Sequence, residues 1–183
     1  MDCTDEAIFA QAQQGDRGAF GLLVHRYQDR VYSLALRILH HQHDAEDAAQ
    51  QAFLHAWQKR QMFDPQWRFC TWLYRIVTNT CIDEYRRQQR RKPVSETYLA
   101  SLPATSAPDR EYERSQLRQR LTTALGQVPV EARTVLMLCY MEGLSYAEIA
   151  RIRGITVHTV KSQLRRAKTL LRHHVHMADE EIS

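Results

Sequence analysis

The side chains with chemical potential in this chain are mostly cationic, and they are sorted along it. From Arg86 to Lys92 five of seven residues are basic, and from Arg151 to Arg172 there are seven Lys or Arg and no Asp or Glu. The acids gather elsewhere: Asp2, Asp5 and Glu6; Asp44, Glu46 and Asp47; Asp179, Glu180 and Glu181. A single charge run is usually a solvated helix face. Two separate acid-free basic segments point to a polyanion, because crowded like charges repel one another and gain from phosphates. The sharpest pattern is His158, Lys161, Ser162 and Arg165, at steps of 3, 1 and 3. On a helix these make one face with donors, positive charge and little bulk, which suits a DNA major groove.

Other chemistries find less support. His40, His41, His43 and Asp44, and His173, His174 and His176, are the only constellation that suggests a metal or an enzyme. Metal ligands on one helix sit at i and i+4 so that they share a face, and the adjacent His40 and His41 do not. No Gly-rich phosphate loop and no Ser–His–Asp or Cys–His arrangement can be argued. No catalytic residue, metal site or cofactor is therefore expected. Cys3, Cys70, Cys81 and Cys139 form no CxxC pair. Cys70 and Cys81 fall on one helix about 16 Å apart, too far for a disulfide. The N-terminus is acidic, unlike a signal peptide, and no apolar run approaches bilayer length. A cytoplasmic protein is expected, without direct membrane insertion.

The elements that must position these residues read as helices. Phe20, Leu23, Val24, Tyr27, Val31, Leu34, Ala35, Ile38 and Leu39 step by 3, 1, 3, 4, 3, 1, 3 and 1, a helical stripe over residues 17–40. Asp44 is placed to cap the next helix, which runs to about Arg60. Ala45, Ala48, Ala49, Ala52, Phe53, Ala56 and Trp57 form its buried side. Pro65 breaks the pattern, and a third helix is expected from about Gln66 to Arg91, with Phe69, Trp72, Leu73, Ile76 and Val77 inward. Pro93 stops it. Residues 93–109, with three prolines among Ser, Thr and Ala, read as a linker. Helices resume at about Arg110, and Pro129 opens another whose C-terminal glycine is Gly143.

A helix-turn-helix follows. Ser145-Tyr146-Ala147-Glu148 is a capping box, Gly154 suits a left-handed turn, and Thr156 caps a last helix from Val157 to about Arg172. Val160, Leu164, Ala167 and Leu171 fall on its buried side, opposite the cationic face. The fold class is all-α: two small helical lobes joined by a flexible linker. The division is 1–92, linker 93–109, 110–176, and an acidic tail 177–183.

Two stretches resemble a known family. Leu144-Ser145-Tyr146-Ala147-Glu148-Ile149-Ala150, Gly154-Ile155-Thr156-Val157-His158-Thr159-Val160-Lys161-Ser162, Leu164 and Arg166-Ala167 resemble the −35-binding domain, region 4, of extracytoplasmic-function (ECF) sigma factors. Asp44-Ala45-Glu46-Asp47-Ala48-Ala49-Gln50-Gln51-Ala52-Phe53 resembles region 2.2. Phe69 to Ile76, with Asn79, Asp83 and Arg86-Arg87, resembles regions 2.3 and 2.4. Both halves occur in family order over roughly residues 15–172. Cys70, His158 and Gln163 depart from the usual pattern.

The resemblance implies a non-enzymatic subunit that binds core RNA polymerase and directs initiation at promoters. Asp44, Glu46, Asp47, Gln50 and Phe53 are the implied polymerase contacts. Tyr74, Arg75, Asn79, Arg86, Arg87, Arg90 and Arg91 are the implied −10 contacts: Asn79 reads a flipped base, the arginines hold phosphates, and Tyr74 stacks. His158, Thr159, Lys161, Ser162, Arg165 and Arg166 are the implied −35 contacts. Implied partners are core polymerase, promoter DNA and an anti-sigma factor, typically membrane-anchored. The alternatives are a stand-alone helix-turn-helix regulator, which has no need of residues 66–91, and a His-based metal-binding protein or enzyme.

Overall fold

The computed structural model describes residues 4–91 and 120–180, and every regular element among them is a helix. The expected linker, residues 93–109, lies outside the described residues. The first lobe holds α1 (Asp5–Gln13), α2 (Arg17–Leu39), α3 (Gln42–Gln58), a 3-10 turn at Arg60–Met62, and α4 (Phe69–Arg91). The second holds a helical stretch α5 (120–126), then α6 (Val130–Tyr140), α7 (Tyr146–Arg153) and α8 (Val157–Glu180).

Helix α1 has no counterpart in the sequence reading, yet it anchors the first lobe. Thr4 caps it, its hydroxyl accepting from the Ala7 N–H. Phe9 is fully buried, with ring centroids 5.0 Å from Phe63, 4.8 Å from Phe69 and 5.1 Å from Trp72. A buried aromatic cluster of this kind contributes large apolar area and favourable edge contacts. The α1 carboxylates also brace the lobe. Asp5 accepts from Tyr27 and pairs with Arg26, and Glu6 accepts from the Phe69 N–H at 3.0 Å, at the very start of α4.

Asp16 caps α2 through the Gly18 and Ala19 N–H groups, and His40 ends it in the left-handed conformation, φ 57°. Three boundaries differ from expectation. Helix α3 begins at Gln42, two residues before Asp44: His41 is extended and its Nδ1 accepts from the Asp44 N–H at 3.4 Å. A histidine thus takes the capping place, and Asp44 lies in the first turn. Helix α4 begins at Phe69 rather than Gln66, after a turn in which Asp64 accepts from the Gln66 N–H. Helix α8 continues to Glu180, past Arg172, so residues 177–180 are helical. No proline or glycine interrupts that stretch.

Ala45, Ala48, Ala49, Ala52 and Ala56 are buried, and their small side chains let α3 pack closely on α2 and α4. In the second lobe Val135, Leu138, Ile149, Ile152, Val160, Leu164 and Ala167 form the core. The capping box at Ser145, Gly154 at φ 64° and the Thr156 cap are all present. At the end of α6, Gly143 takes φ 64°, two residues past the cap position Met141.

The lobes pack against each other, α6 and α7 meeting α2 and α4. Among the described residues Arg133 is the bulkiest fully buried side chain, 1% exposed. Its Nη1 donates to the Leu125 carbonyl at 3.2 Å and its guanidinium lies 5.4 Å from the Tyr85 ring centroid. Burial pulls its pKa down to about 10.

Candidate nucleic-acid and polymerase interface

Three surfaces carry the candidate residues. The first is the outer face of α8. His158, Lys161, Ser162, Arg165 and Arg166 are exposed there, opposite the buried Val160, Leu164 and Ala167. Thr159 is half-buried and serves the helix start: its N–H donates to Thr156 Oγ1 at 3.1 Å, and its carbonyl accepts from Ser162 Oγ at 2.9 Å. Short α7 braces α8 and ends at Gly154. Gly154 is left-handed, a conformation that glycine adopts without strain, so the sequence positions the basic helix by local rules.

The second surface is a groove of about 640 Å³ between α3 and α4. Arg75, Asn79, Arg87 and Arg90 line it. The sequence reading missed its other wall: Gln51, His55 and Lys59 from α3, and Met62, 78% exposed, from the 3-10 turn. Their spacing at 51, 55 and 59 is the one signal that could have found them. Arg87 is also tied to Glu84 at 2.6 Å, which raises its pKa.

Arg86 and Tyr74 lie apart from the groove lining. Arg86 pairs instead with Glu131 of the second lobe, Nη2 to Oε1 at 3.1 Å. Arg91 is the last residue of α4. Tyr74, expected to stack on a base, is 3% exposed and donates to Glu142. Burial, then the Glu142 hydrogen bond, raises its pKa. Its ring is packed under the second lobe and offers no stacking face in this arrangement. Trp72 is core, as its place on the apolar stripe implied.

The third surface is an open apolar hollow of about 500 Å³, lined by Phe20, Val24, Gln50, Phe53, Leu54 and Trp57 with Arg17 at its edge. Phe20 and Trp57 pack at 5.2 Å, and Leu54 is 52% exposed. Gln50 and Phe53 therefore come together on an unfilled apolar face. The acids lie at the N-terminal end of the same helix: Glu46 and Asp47 are exposed and Asp44 half-buried. Asp47 has a histidine partner, its Oδ2 at 3.6 Å from His43 Nδ1.

Among the described residues no group of three His, Cys, Asp or Glu comes together to hold a metal, and no helix is long and apolar enough to cross a membrane. Cys81 is buried, which pushes its thiol up to about 12, and Cys70 and Cys139 are half-buried and free.

The two lobes thus carry a cationic helix-turn-helix in one and an Asn/Arg-lined groove in the other. Comparison with known proteins gives the family. Residues 23–91 match sigma-70 region 2, and residues 118–171 match sigma-70 region 4. The chain is 35% identical over 178 residues to the ECF RNA polymerase sigma-E factor of Haemophilus influenzae, covering 92% of this chain and 93% of that one. It is 35% identical over 176 residues to the ECF RNA polymerase sigma factor SigW of Bacillus subtilis, covering 88% and 91%. The solved structure of CnrH in complex with the cytosolic domain of CnrY aligns with a TM-score of 0.70 at 28% identity, covering 92% of this chain and 95% of that one. The chain belongs to the ECF sigma factors of the sigma-70 family. The match spans both lobes, so a self-contained helix-turn-helix regulator is not the favoured reading.

Proposed function

We propose that this sigma factor divides promoter recognition between the two lobes, with the residues placed as follows. Asn79 reads an unstacked base of the −10 strand in the α3–α4 groove, and Arg75, Arg87 and Arg90 hold the flanking phosphates. Extracting a base requires a few kcal/mol and a pocket to receive it, and a groove with an amide and three guanidinium groups supplies that pocket. The outer face of α8 enters the −35 major groove, with Lys161, Ser162, Arg165 and Arg166 toward bases and phosphates. His158 and Thr159 sit at the α8 N-terminus, where the helix dipole favours a phosphate. Core polymerase docks on α3: Phe53 and Gln50 beside the apolar hollow, Asp44, Glu46 and Asp47 toward a basic partner surface. Arg86 and Arg91 extend the phosphate track.

The observation that carries this reading is the convergence of Asn79 and three arginines, far apart in neither helix nor space, on one groove of the lobe that matches region 2. Residues 1–92 and 110–176 are the two working units. Fastening both to one polymerase makes the second DNA contact intramolecular and raises its effective concentration. Transcription under control of an anti-sigma factor fits the family. The relative CnrH is held by a cytosolic protein domain, which suits a membrane-anchored regulator and a cytoplasmic site of action for this chain.

The polymerase face is tested by equilibrium binding to bacterial core polymerase. Phe53→Ala is expected to weaken binding by about tenfold, the loss of roughly 1–2 kcal/mol of buried aromatic contact. Lys161→Ala with Arg165→Ala should leave core binding unchanged while abolishing −35 dependence. A Phe53→Ala protein that binds core normally would place the docking face elsewhere.

A further inference from the structure

The lobes share a continuous buried apolar cluster, and two nitrogenous side chains are set into their junction. One is Arg133 of α6, fully buried, whose Nε is enclosed and has no hydrogen-bond partner among the described residues. The other is His40, in the left-handed position that joins α2 to α3. Its Nε2 is likewise enclosed and has no partner among the described residues. The Arg133 charge bears on the His40 ring across the contact of α2 with α6.

No described carboxylate is among the groups that act on His40. The α1 acids Asp5 and Glu6 are engaged with Arg26, Tyr27 and the start of α4. Asp44 and Asp47 of α3 bear on Arg87 of α4, to which Glu84 is bonded at 2.6 Å. Asp83 of α4 bears on Arg153 of α7, and Glu131 of α6 is paired with Arg86 at 3.1 Å. Glu131 reaches Arg133 as well, yet burial outweighs it. Within α2, Arg37 stands one turn before His40 and is itself basic. A protonated His40 is therefore a second cation beside a first, in a place of low dielectric where like charges repel strongly. Burial, then Arg133, keeps the ring neutral down to about 4, whereas an exposed imidazole takes its proton near 6.5.

The −35 and −10 elements lie about 25 base pairs apart, roughly 85 Å along B-DNA. Packed lobes cannot meet both, so promoter binding requires them to part; this step rests on the division of labour between the lobes given above. We propose that His40 is a proton-operated catch on the lobe junction: neutral, it lets α6 close over it, and protonated, it parts the lobes, so that the chain engages a promoter more readily in acid. The sign follows from linkage. A histidine whose pKa is depressed in the closed form favours that form fully above 6.5, and the preference is lost as pH falls toward 4. Burial of the apolar cluster favours the closed form at every pH, so the proton acts on the small parted fraction. Between pH 7.5 and 5.5 that fraction should grow about tenfold.

The test measures how much of the full chain gives half-maximal assembly of core polymerase on a promoter fragment selected by run-off transcription, at about pH 7.5 and 5.5. His40→Asn keeps the left-handed turn and takes no proton. Relative to that variant, wild type should gain about tenfold in apparent affinity as the pH falls. A histidine that only stabilises the fold predicts the opposite sign, because acid then unfolds wild type in preference to the variant. Parallel profiles for the two proteins, or a wild type that weakens more than His40→Asn in acid, would overturn the catch. Histidine NMR of the free wild-type chain is a second measurement that needs no variant. The His40 ring should stay neutral at about pH 5.5, and a ring that titrates near 6.5 would overturn the proposal too. A chain that assembles core polymerase on no promoter at either pH would refute the division of labour between the lobes, and the catch with it.

Discussion

Removing the Ser145 hydroxyl tests how the sequence positions the helix-turn-helix. Three hydrogen bonds close the capping box: the Glu148 N–H to Ser145 Oγ at 3.3 Å, the Ser145 N–H to Glu148 Oε2 at 2.9 Å, and the Ser145 hydroxyl to the same oxygen at 2.7 Å. Ser145→Ala deletes the first and third and leaves one N–H at the start of α7 without its partner. Both groups are near solvent, so each bond contributes at the low end of the net range, and the pair sums to about 1 kcal/mol. On an eight-residue helix that is a factor of about five in the local folding equilibrium.

The loss should also depend on pH. The Ser145 side chain, then its backbone N–H, holds the Glu148 carboxyl below its ordinary value of 4.5. A carboxylate depressed in the fold contributes stability above its unfolded pKa, and that contribution disappears as pH falls through the folded value. Wild type should therefore lose more than Ser145→Ala as pH drops below 4.5, and the gap between them should narrow. Glu148→Gln keeps an acceptor without the charge and should show no such pH dependence. Urea unfolding, with hydrogen exchange at the Glu148 amide as the local readout, measures both effects. A gap under about 0.3 kcal/mol at pH 7, or one that is constant with pH, would refute the reasoning.

Two further outcomes follow from single residues. Burial, then the nearby Arg133 charge, lowers the His40 pKa from 6.5 to about 4. The unfolded chain then binds the proton more readily, so stability falls progressively as pH drops from 6.5 toward 4. His40→Asn, which tolerates the left-handed φ of 57°, should flatten thermal stability over that window. A wild-type profile already flat from pH 7 to 5 would contradict the placement of His40. Gly154→Val should cost about 1–2 kcal/mol and weaken duplex binding through α8, while Gly154→Asn should be far milder. A Cβ there meets nothing within 4 Å, so the whole effect is backbone strain. Equal losses for Val and Asn would argue for a steric cause instead.

The parts of this molecule that read well from the sequence are those fixed by neighbours in the chain. The capping box at Ser145, the turn at Gly154 and the cap at Thr156 lie within twelve residues, and each is a local backbone requirement. The stripe of α2 was equally plain, because its period is its own. What failed to show depends on distant partners. Helix α1 is nine residues long, and the reason Phe9 is buried lies at Phe63, Phe69 and Trp72. Asp44 looked like a cap because Asp commonly is one, but His41 offers an imidazole acceptor three residues ahead of it. Tyr74 looked free to stack because nothing near it in sequence announces Glu142. Trp67 drew no notice, since its two cationic neighbours come from separate lobes.

Promoter-directed transcription tests the roles of the two lobes most directly. Purified bacterial core polymerase and this protein should yield run-off transcripts from a subset of a promoter library. Those transcripts should disappear with Asn79→Ala, and separately with Lys161→Ala plus Arg165→Ala, while the bases at which substitution kills transcription define two elements. Core polymerase that gains no promoter specificity from this protein, or transcription indifferent to both sets of changes, would contradict the claim that the α3–α4 groove and the α8 face read the promoter.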